Sequence, residues 1–481
     1  MADVRIGLDF GTHQTKICIQ MTPDEGHGLP EYEFMQFKDL KGELHYFIPS
    51  VIQINNDGTL SYGFIDPTKE KDHNARPKLQ RISGLANFDI NEEAENLYYK
   101  YSVDMKNKEE GIDVIKRMLV KKEETDKKRY EKEKNIARRE YESAMDEYRH
   151  SRNVFRYFKQ ATFSEYHWVG KYDPKFLCIW YLTYIIFLIE ERFGDAFSIN
   201  LGVPTDDKTF ESKKHLGCQI IRSAFHLVEE VYNNDMDLFL KENISSLIEN
   251  TRLFDYSDED KEEFRIQVFP EAYASLISLT SRRKLSEGMS LNADIGGGTT
   301  DISFFVVNKG KPKIYKYWSL PYGLNYIAEQ SGFDYADSDF VNNALDDVLD
   351  DFNAKKKNIV IELERELLIK ARNSSIDKSN ILNAMRSRVV VYNGGGSTYD
   401  NISIEFPHFN DVKTSTVELW EGEIIKDKNK VSKYVNILTT SYGLSISEDD
   451  DKVELCDFES LISDSNKESI YERPEIDKDV C

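Results

Sequence analysis

Apolar strands and glycine-containing turns alternate at two places along the chain. From Val4 to Gln20, β-branched residues flank one glycine turn, and this pattern predicts two strands joined as a hairpin. A similar unit recurs where Leu291 to Ile295 and Ile302 to Val307 flank three glycines. Two strand–turn–strand units in one chain indicate a duplicated architecture.

Further elements are predicted along most of the remaining chain. Short apolar runs predict strands at Ile48 to Ile54, Leu60 to Phe64, Phe197 to Val203, Ile266 to Phe269 and Val389 to Tyr392. Helices are predicted from Pro174 through the apolar run Phe176 to Ile189, over about Lys208 to Tyr232, from Glu271, over most of Asp337 to Asn373, and around Val431 to Leu444. We therefore expect sheets with helices packed on them.

The segment from Ile112 to Val169 contains neither glycine nor proline and is dense in charge. Its apolar stripe is thin, which predicts a helical hairpin or coiled arm. Residues 121–149 are either a solvated helix face or a surface that binds a protein partner. The apolar run Phe176 to Ile189 is shorter than the ~20 residues that cross a bilayer, so we interpret it as a buried helix.

Composition narrows the possible partners. With 481 residues, 40% of them hydrophobic, the chain can bury a core large enough for two lobes or domains. A net charge of -22 argues against binding to nucleic acid or to an anionic membrane. The five cysteines are widely spaced, and no apolar leader precedes the first strand, so we expect reduced thiols and a cytoplasmic protein.

The first glycine turn, in IGLDFGT, carries an acid at the end of its strand. Asp9 precedes Gly11 and Thr12, whose backbone N–H groups and hydroxyl can meet phosphate oxygens. In the second turn, NADIGGGTTD, Asp294 precedes Gly296–Gly298. Three glycines let the backbone press against a polyphosphate.

Two acids beside a polyphosphate imply a cation between them. Asp9 and Asp294 therefore predict Mg²⁺, which keeps several waters and takes one or two carboxylates. A third turn, YNGGGS, carries no acid, and its residues Gly394–Gly396 and Ser397 suit the close approach of an uncharged adenosine.

These three turns together resemble a known family. IGLDFGT, DIGGGTTD and YNGGGS are similar to the phosphate-one, phosphate-two and adenosine motifs of the actin, sugar-kinase and heat-shock chaperone superfamily, and most of all to the seventy-kilodalton heat-shock chaperone ATPase domain. Weaker similarities are INLGVPT at Ile199–Thr205, PEAYAS at Pro270–Ser275 and LPYGL at Leu320–Leu324. The resemblance implies an α/β, two-lobed actin-like ATPase fold with duplicated ribonuclease-H-like lobes and a charged helical insertion, without the peptide-binding domain.

The resemblance also implies a division of the chain. Residues 1–205 would form lobe I, including a helical arm at about 112–169, and residues 206–290 a connecting helix and an insertion. Residues 291–430 would form lobe II with a helical subdomain at about 325–388, and residues 431–446 the closing helix of lobe I. Residues 447–481 are expected to be a flexible acidic tail.

Roles carry over from the family residue by residue. The catalytic residues would be Asp9, Glu271, Asp294 and Asp301, of which Asp9 and Asp294 would hold Mg²⁺. The contacts to ATP or ADP would come from Gly11, Thr12, His13, Gly296, Gly297, Gly298, Thr299, Lys370, Ser374, Gly394, Gly395, Gly396, Ser397 and Tyr399. Tyr399 stands where the family has an arginine, and Glu366 is one residue out of register with the family's adenine-facing helix. Either Lys100 or Lys106 would supply the family's phosphate-contacting lysine.

The resemblance implies an ATP-driven conformational switch with slow hydrolysis of ATP to ADP and phosphate. Three other functions stay open from the sequence. They are a filament-forming actin-like ATPase, a small-molecule kinase, and a nucleotide sensor without hydrolysis.

Overall fold

The structure is a computed structural model of the whole chain. It describes residues 3–23, 29–70, 90–101, 108–163, 172–204, 209–257, 265–280, 285, 288–308, 311–331, 341–344, 346–374, 389–399, 401–402, 413–414, 420, 422–446 and 454–465. These residues form several sheets and many helices, so the α/β class is confirmed.

The strands of the described residues, numbered in chain order, are Asp3–Phe10 (β1), Gln14–Thr22 (β2), Glu31–Phe34 (β3), Phe37–Lys38 (β4), Leu44–His45 (β5), Ile48–Pro49 (β6), Ile52–Ile54 (β7), Leu60–Tyr62 (β8), Val154–Phe155 (β9), Ser198–Val203 (β10), Ile266–Pro270 (β11), Gly288–Ile295 (β12), Thr300–Asn308 (β13), Lys311–Leu320 (β14), Val389–Asn393 (β15), Lys413–Thr414 (β16) and Ile424–Ile425 (β17). Every strand predicted from the sequence is present, with the predicted strand Ile48 to Ile54 interrupted between β6 and β7. Strands β3, β4, β5, β9, β14, β16 and β17 were not predicted.

The α-helices are Ile90–Tyr101 (α1), Lys108–Ser151 (α2), Phe158–Phe163 (α3), Pro174–Phe193 (α4), Phe210–His226 (α5), Met236–Lys241 (α6), Ile244–Asn250 (α7), Glu271–Thr280 (α8), Leu324–Ser331 (α9), Asp346–Asn373 (α10), Lys428–Val431 (α11), Val435–Ile446 (α12) and Phe458–Ser465 (α13). A π-helical turn at Leu227–Val231 extends α5. The helices predicted around Lys208 to Tyr232, from Glu271 and around Val431 to Leu444 are confirmed. Residues 337–340 of the helix predicted from Asp337 lie outside the described residues.

Two of the sheets share one strand arrangement. The larger sheet has the order β11-β10-β1-β2-β3-β17, with β6 also paired to β2, and the second has the order β14-β13-β12-β15-β16. In each, an antiparallel hairpin (β1/β2 or β12/β13) is followed on one side by a third antiparallel strand and on the other by two parallel strands. The predicted repeat of the strand–turn–strand unit is confirmed, and it extends to five strands.

Parallel pairing brings the chemistry-bearing residues to matching sheet edges. Strands β1, β10 and β11 are mutually parallel, so Asp9 near the end of β1 and Glu271 directly after β11 lie at the same edge. Strands β12 and β15 are also parallel, and Asp294 lies opposite Asn393. The end of β12 and the turn at Gly394 therefore share an edge of the second sheet.

The apolar helix α4 packs into the core of the larger sheet. The side chain of Asp173 caps its N-terminus by accepting a 2.9 Å hydrogen bond from the Lys175 amide, and Pro174 occupies the first turn. Trp180, Tyr181 and nine other side chains of the helix are buried, so the predicted buried helix is confirmed. Among the helices in the described ranges, none has an apolar stretch long enough to cross a membrane.

The helical arm predicted at about 112–169 is wrong beyond Ser151, where helix α2 ends. The Asn153 side chain donates to the carbonyls of Ile54 and Lys69, at 2.9 and 3.1 Å, and β9 then pairs with β7. Tyr157 has a φ of 64°, which an α-helix cannot accommodate. Tertiary pairing thus ends the helix and starts a new one, α3, while residues 164–169 lie outside the described residues.

Residues 72–152 form a second compact unit, separate from residues 1–71 and 153–481. Within it α1 and α2 pack against each other as a helical hairpin, but the first helix of this hairpin precedes residues 112–169, over which the arm was predicted. Ala94 and Tyr98 of α1 and Leu119 of α2 are buried. The partner-binding hypothesis for residues 121–149 stays a prediction, as do the lobe boundaries.

Part of the predicted flexible acidic tail is folded. The Ile314 amide donates to the Glu454 carbonyl at 2.8 Å, and the Cys456 amide donates to the Ile314 carbonyl at 2.9 Å. Helix α13 follows and buries Phe458 and Leu461 in the core of the second sheet. The prediction is therefore wrong for residues 454–465, because apolar side chains dock this acidic segment; residues 447–453 and 466–481 lie outside the described residues.

Helices α8 and α12 cross at a glycine. A Cβ atom added to Gly443 would lie 1.8 Å from the Ala274 carbonyl oxygen, so the crossing leaves no room for a methyl group. We expect Gly443→Ala to lower the free energy of unfolding by about 3 kcal/mol, since overpacking that moves backbone reaches this range. Denaturant unfolding would measure the change.

Gly395→Ala is the matched control for that substitution. A Cβ atom on Gly395 would meet only Leu324 Cδ1, at 3.9 Å, which is an ordinary contact. Its stability should stay close to that of the wild type. Equal stabilities for the Gly443 and Gly395 variants would contradict the tight crossing.

Candidate functional site

The three glycine turns meet in one cavity. A Cβ atom added to Gly298 would lie 2.4 Å from Thr12 Oγ1, and one added to Gly394 would lie 2.4 Å from Asp294 Oδ1. The turns that follow β1, β12 and β15 are therefore in contact. The cavity between them is lined by Asp9, Gly11, Thr12, His13, Gln14, Lys16, Lys159, Glu271, Asp294, Gly296, Gly297, Gly298, Thr299, Asp301, Gly394, Gly395, Ile437 and Thr440.

The first hairpin pairs an acid with a lysine. Asp9 and Lys16 are opposite each other in the β1/β2 register, and Lys16 Nζ lies 2.9 Å from Asp9 Oδ2. Burial alone would lower the pKa of Lys16, but the carboxylates around it, Asp9 first, raise it above its ordinary value. Lys16 therefore keeps its positive charge inside the cavity.

The second hairpin pairs two acids. Asp294 and Asp301 are opposite each other in the β12/β13 register. Thr440 Oγ1 donates to Asp294 Oδ2 at 2.9 Å, and Thr299 Oγ1 donates to Asp301 Oδ2 at 3.1 Å. Burial and neighbouring acids raise the pKa of Asp294 to about 6 and that of Asp301 to about 8. Keeping these two acids ionised in the cavity therefore costs free energy, and a bound cation would reduce that cost.

A buried ion pair completes the cavity. Glu271 is the first residue of α8, and its Oε1 accepts a hydrogen bond from Lys159 Nζ on α3. The side chains are 10% and 3% exposed, respectively. Burial raises the pKa of Glu271, while the charge of Lys159 opposes the rise. Gly202 leaves the space for this carboxylate, because a Cβ atom there would lie 2.9 Å from Glu271 Cγ.

The donor set fits a divalent, oxygen-binding cation. Four carboxylates and two lysines line the cavity, so acidic side chains outnumber basic ones there. Carboxylate and hydroxyl oxygens are the donors that Mg²⁺ prefers, and the described lining includes no cysteine. Asp9 and Asp294 come from two different sheets, so a cation between them would stabilise the approach of the two turns.

The raised pKa of Asp301 gives a testable pH dependence. Between the ordinary value of 3.8 and about 8, the folded protein holds a proton on Asp301 that the unfolded chain has lost. Stability attributable to this group must therefore fall as pH rises through that window. We expect Asp301→Asn to raise the thermal unfolding midpoint in EDTA at pH 8, with the difference closing as the pH approaches 3.8.

Magnesium serves as the control for this prediction. Mg²⁺ should stabilise the wild type at pH 8 more than it stabilises Asp301→Asn, since the cation compensates the buried anion. Parallel pH profiles for the two proteins in EDTA would contradict the assignment.

The sequence did not identify the lysines that line the cavity. Lys100 lies on α1 in the second compact unit, and Lys106 lies outside the described residues. The lysines that line the cavity are Lys16 and Lys159. Lys16 could have been found, because a hairpin that pairs residues on either side of the Gly11 turn sets it opposite Asp9. Lys159 gave no such signal, since it lies in the segment predicted as continuous helix.

Lys370 and Ser374 do not reach the cavity. They lie at the C-terminal end of α10, where Lys370 Nζ is 2.7 Å from Tyr315 Oη and 3.2 Å from Glu366 Oε1. Phe352 of the same helix packs near the third turn, in a cluster with Leu324 and Tyr399. Eighteen residues of continuous helix separate Phe352 from Lys370, which is ~27 Å at 1.5 Å per residue. The structure therefore does not bring Lys370 and Ser374 together with the three glycine turns.

Lys370 and Ser374 instead line a second cavity of about 680 Å³. Lys316 Nζ and Tyr315 Oη both reach Glu366 there, at 2.6 and 2.8 Å. Glu366 thus belongs to an ion-pair network with Lys316 and Lys370.

The third turn reaches the cavity only in part. Gly394 and Gly395 line it, whereas Gly396 packs against Ile295. Ser397 Oγ donates to the Gly394 carbonyl at 2.7 Å, and Tyr399 packs in the apolar cluster with Leu324. The structure therefore does not bring Gly396, Ser397 or Tyr399 to the cavity wall.

The cavity is small in this structure. Its volume is about 90 Å³, compared with ~300–1,000 Å³ for pockets that hold drug-sized ligands. That space suits phosphate groups with a hydrated cation. A whole nucleotide requires the turns to separate.

Comparisons with known proteins do not assign this cavity to a known family. No protein-family model matches the chain, and no curated protein shows a significant match to it.

Proposed function

We propose that this chain binds ATP with Mg²⁺ in the cavity and hydrolyses it slowly to ADP and phosphate. The observation that carries the proposal is the convergence of three glycine turns, four carboxylates and two lysines in one buried cavity. Glycine backbones accept close approach of phosphate, lysines balance its charge, and paired acids hold the cation. We also propose the two-lobed actin-like ATPase fold, supported by the matching arrangement of the two sheets.

The three turns would divide the recognition of the nucleotide among them. Gly11, Thr12 and Gly296–Gly298 would meet the phosphate groups, with Thr299 at the end of the loop. Asp9 and Asp294 would hold the hydrated Mg²⁺, which shields the negative charge of the phosphates. Gly394 and Gly395 would approach the adenosine.

The reaction would be an in-line attack of water on the terminal phosphate. The water oxygen bonds to the γ-phosphorus, the bond from that phosphorus to the β–γ bridging oxygen breaks, and ADP leaves. Glu271 accepts the proton of the water, and Lys159 keeps Glu271 ionised until then. Lys159 and Lys16 supply positive charge beside the phosphates, the task for which the sequence had offered Lys100 or Lys106.

Phosphate release with Mg²⁺ and ATP tests this function. We expect slow release by the wild type that EDTA abolishes, with no need for an added sugar and no ATP-dependent pelleting. Release that requires a sugar acceptor would favour a small-molecule kinase, and ATP-dependent pelleting would favour a filament. Binding without release would indicate a nucleotide sensor, and any of these results would overturn the proposal.

A further inference from the structure

Two consecutive residues of helix α3 contact two different parts of the site. Lys159 contacts Glu271, while the Gln160 side chain contacts the glycine loop, which consists of Gly296–Gly298. Gln160 Nε2 donates to the Gly298 carbonyl at 2.8 Å, and Gln160 Oε1 accepts from Asn325 Nδ2 at 2.7 Å. Gln160 and Asn325 are each 1% exposed. Neither residue lines the cavity, so both act from behind the loop.

The glycine loop is fastened through all three of its carbonyl groups. The Leu324 amide donates to the Gly296 carbonyl at 3.0 Å, and the Asn325 amide donates to the Gly297 carbonyl at 2.8 Å. Gln160 occupies the third carbonyl, that of Gly298. The start of α9 therefore fixes two of the carbonyls, and α3 is joined to this assembly through the side chain of Gln160.

The contacts of Gln160 cross between two parts of the main unit. Helix α3 packs on α4 beside the larger sheet, whereas the glycine loop joins β12 to β13 in the second sheet. Buried amides that lose their partners carry a desolvation cost, so this contact favours the closed arrangement. Separation of the turns, which a whole nucleotide requires, moves α3 away from the loop and breaks the hydrogen bonds that Gln160 makes to Gly298 and Asn325.

We propose that Gln160 and Asn325 form a latch that holds α3 against the glycine loop, and that opening of this latch limits nucleotide release. The inference rests on the proposed function for its nucleotide. Gln160 is a positioning residue, because it reaches the phosphate site only through the loop that it holds. The latch also couples the loop to Lys159, the neighbouring residue on α3.

Nucleotide release measures the latch directly. Gln160→Met keeps the volume of the side chain and removes its hydrogen bonds to Gly298, to Asn325 and, at 3.5 Å, to the Pro321 carbonyl. Asn325→Leu removes the other side of the pair. We expect a fluorescent ADP analogue to leave either variant about tenfold faster than the wild type in stopped flow, since each buried hydrogen bond contributes up to about that factor. The double variant should release ADP no faster than the faster single variant, because both substitutions open one latch.

Gln53→Met is the matched control. Gln53 is also 1% exposed, and its side chain donates to the Asp66 carbonyl at 3.2 Å. It does not line the cavity, so ADP should leave this variant at the wild-type rate. A loss of stability alone would accelerate release in the control as well.

Hydrogen exchange without nucleotide separates the latch from the proposed function. The amides of Leu324 and Asn325 should exchange about tenfold faster in Gln160→Met than in the wild type, since the loop that they bond to is released. Wild-type protein that binds no ADP would overturn the proposed function. Wild-type protein that binds ADP, beside a Gln160→Met variant with wild-type release and exchange rates, would overturn the latch.

Discussion

Lys159→Met should lower the rate of phosphate release about 10³-fold, the range seen when a preorganised charge or donor at a transferring phosphate is removed. Lys159 is almost fully buried and contacts Glu271, so its replacement removes positive charge from the phosphate side and the counter-ion of the base together. Burial already raises the pKa of Glu271, and loss of the opposing Lys159 charge would raise it further and weaken Glu271 as a base. Single-turnover phosphate release with Mg²⁺ would measure the loss.

Stability distinguishes a catalytic effect from a structural one in this variant. Lys159→Met leaves a buried carboxyl unpaired, which costs about 3 kcal/mol or more of folding free energy. Adding Glu271→Gln should restore much of that stability without restoring activity. Lys316→Met removes a lysine from another carboxylate pair, that with Glu366, and should leave phosphate release unchanged. Wild-type release by Lys159→Met would contradict the role of this lysine.

Glu271→Gln should slow phosphate release by about 10² to 10⁴-fold while ATP binding persists, since a positioned general base contributes that range. The amide keeps the shape of the side chain and its place at the start of α8 but cannot accept the proton of the water. The turnover rate should therefore fall with little change in the ATP concentration at half saturation. Phosphate release across a range of ATP concentrations would separate the two effects.

Glu33→Gln is the control for Glu271→Gln. The Glu33 side chain is also 10% exposed and is paired with Arg192 and Lys426, but it does not line the cavity. Its substitution removes an equally buried charge and should leave turnover unchanged. Equal turnover in the two glutamine variants would show that Glu271 is not the base.

The hairpins and their acids could be predicted because their signals are local. Alternating apolar residues around glycines determine β1, β2, β12 and β13, and the positions of Asp9 and Asp294 at the strand ends follow from the same pattern. Parallel neighbours then bring Glu271 and Gly394 to the same edges. Local pattern and tertiary arrangement agree at these places.

The failed predictions depend on contacts that are distant in sequence. Helix α2 ends because Asn153 bonds to Ile54 and Lys69, and nothing in the charged segment itself shows that pairing. Lys370 and Ser374 keep the spacing of an adenine-facing helix. The long helix α10 carries them to its C-terminal end, and they do not line the cavity. The folded tail segment depends on the Ile314 edge of β14, a strand that the sequence did not predict.

Calorimetric titration of ATP, in Mg²⁺ and in EDTA, measures whether ATP binds at the three glycine turns. The titration compares the wild type with Gly298→Ala. A Cβ atom at residue 298 would lie 2.4 Å from Thr12 Oγ1, where the first two turns meet, so this variant distorts the phosphate site without changing a charge. We expect one ATP per wild-type chain in Mg²⁺, with binding strongly weakened by EDTA and by Gly298→Ala. No binding by the wild type, or undiminished binding by Gly298→Ala, would contradict the proposed ATP site.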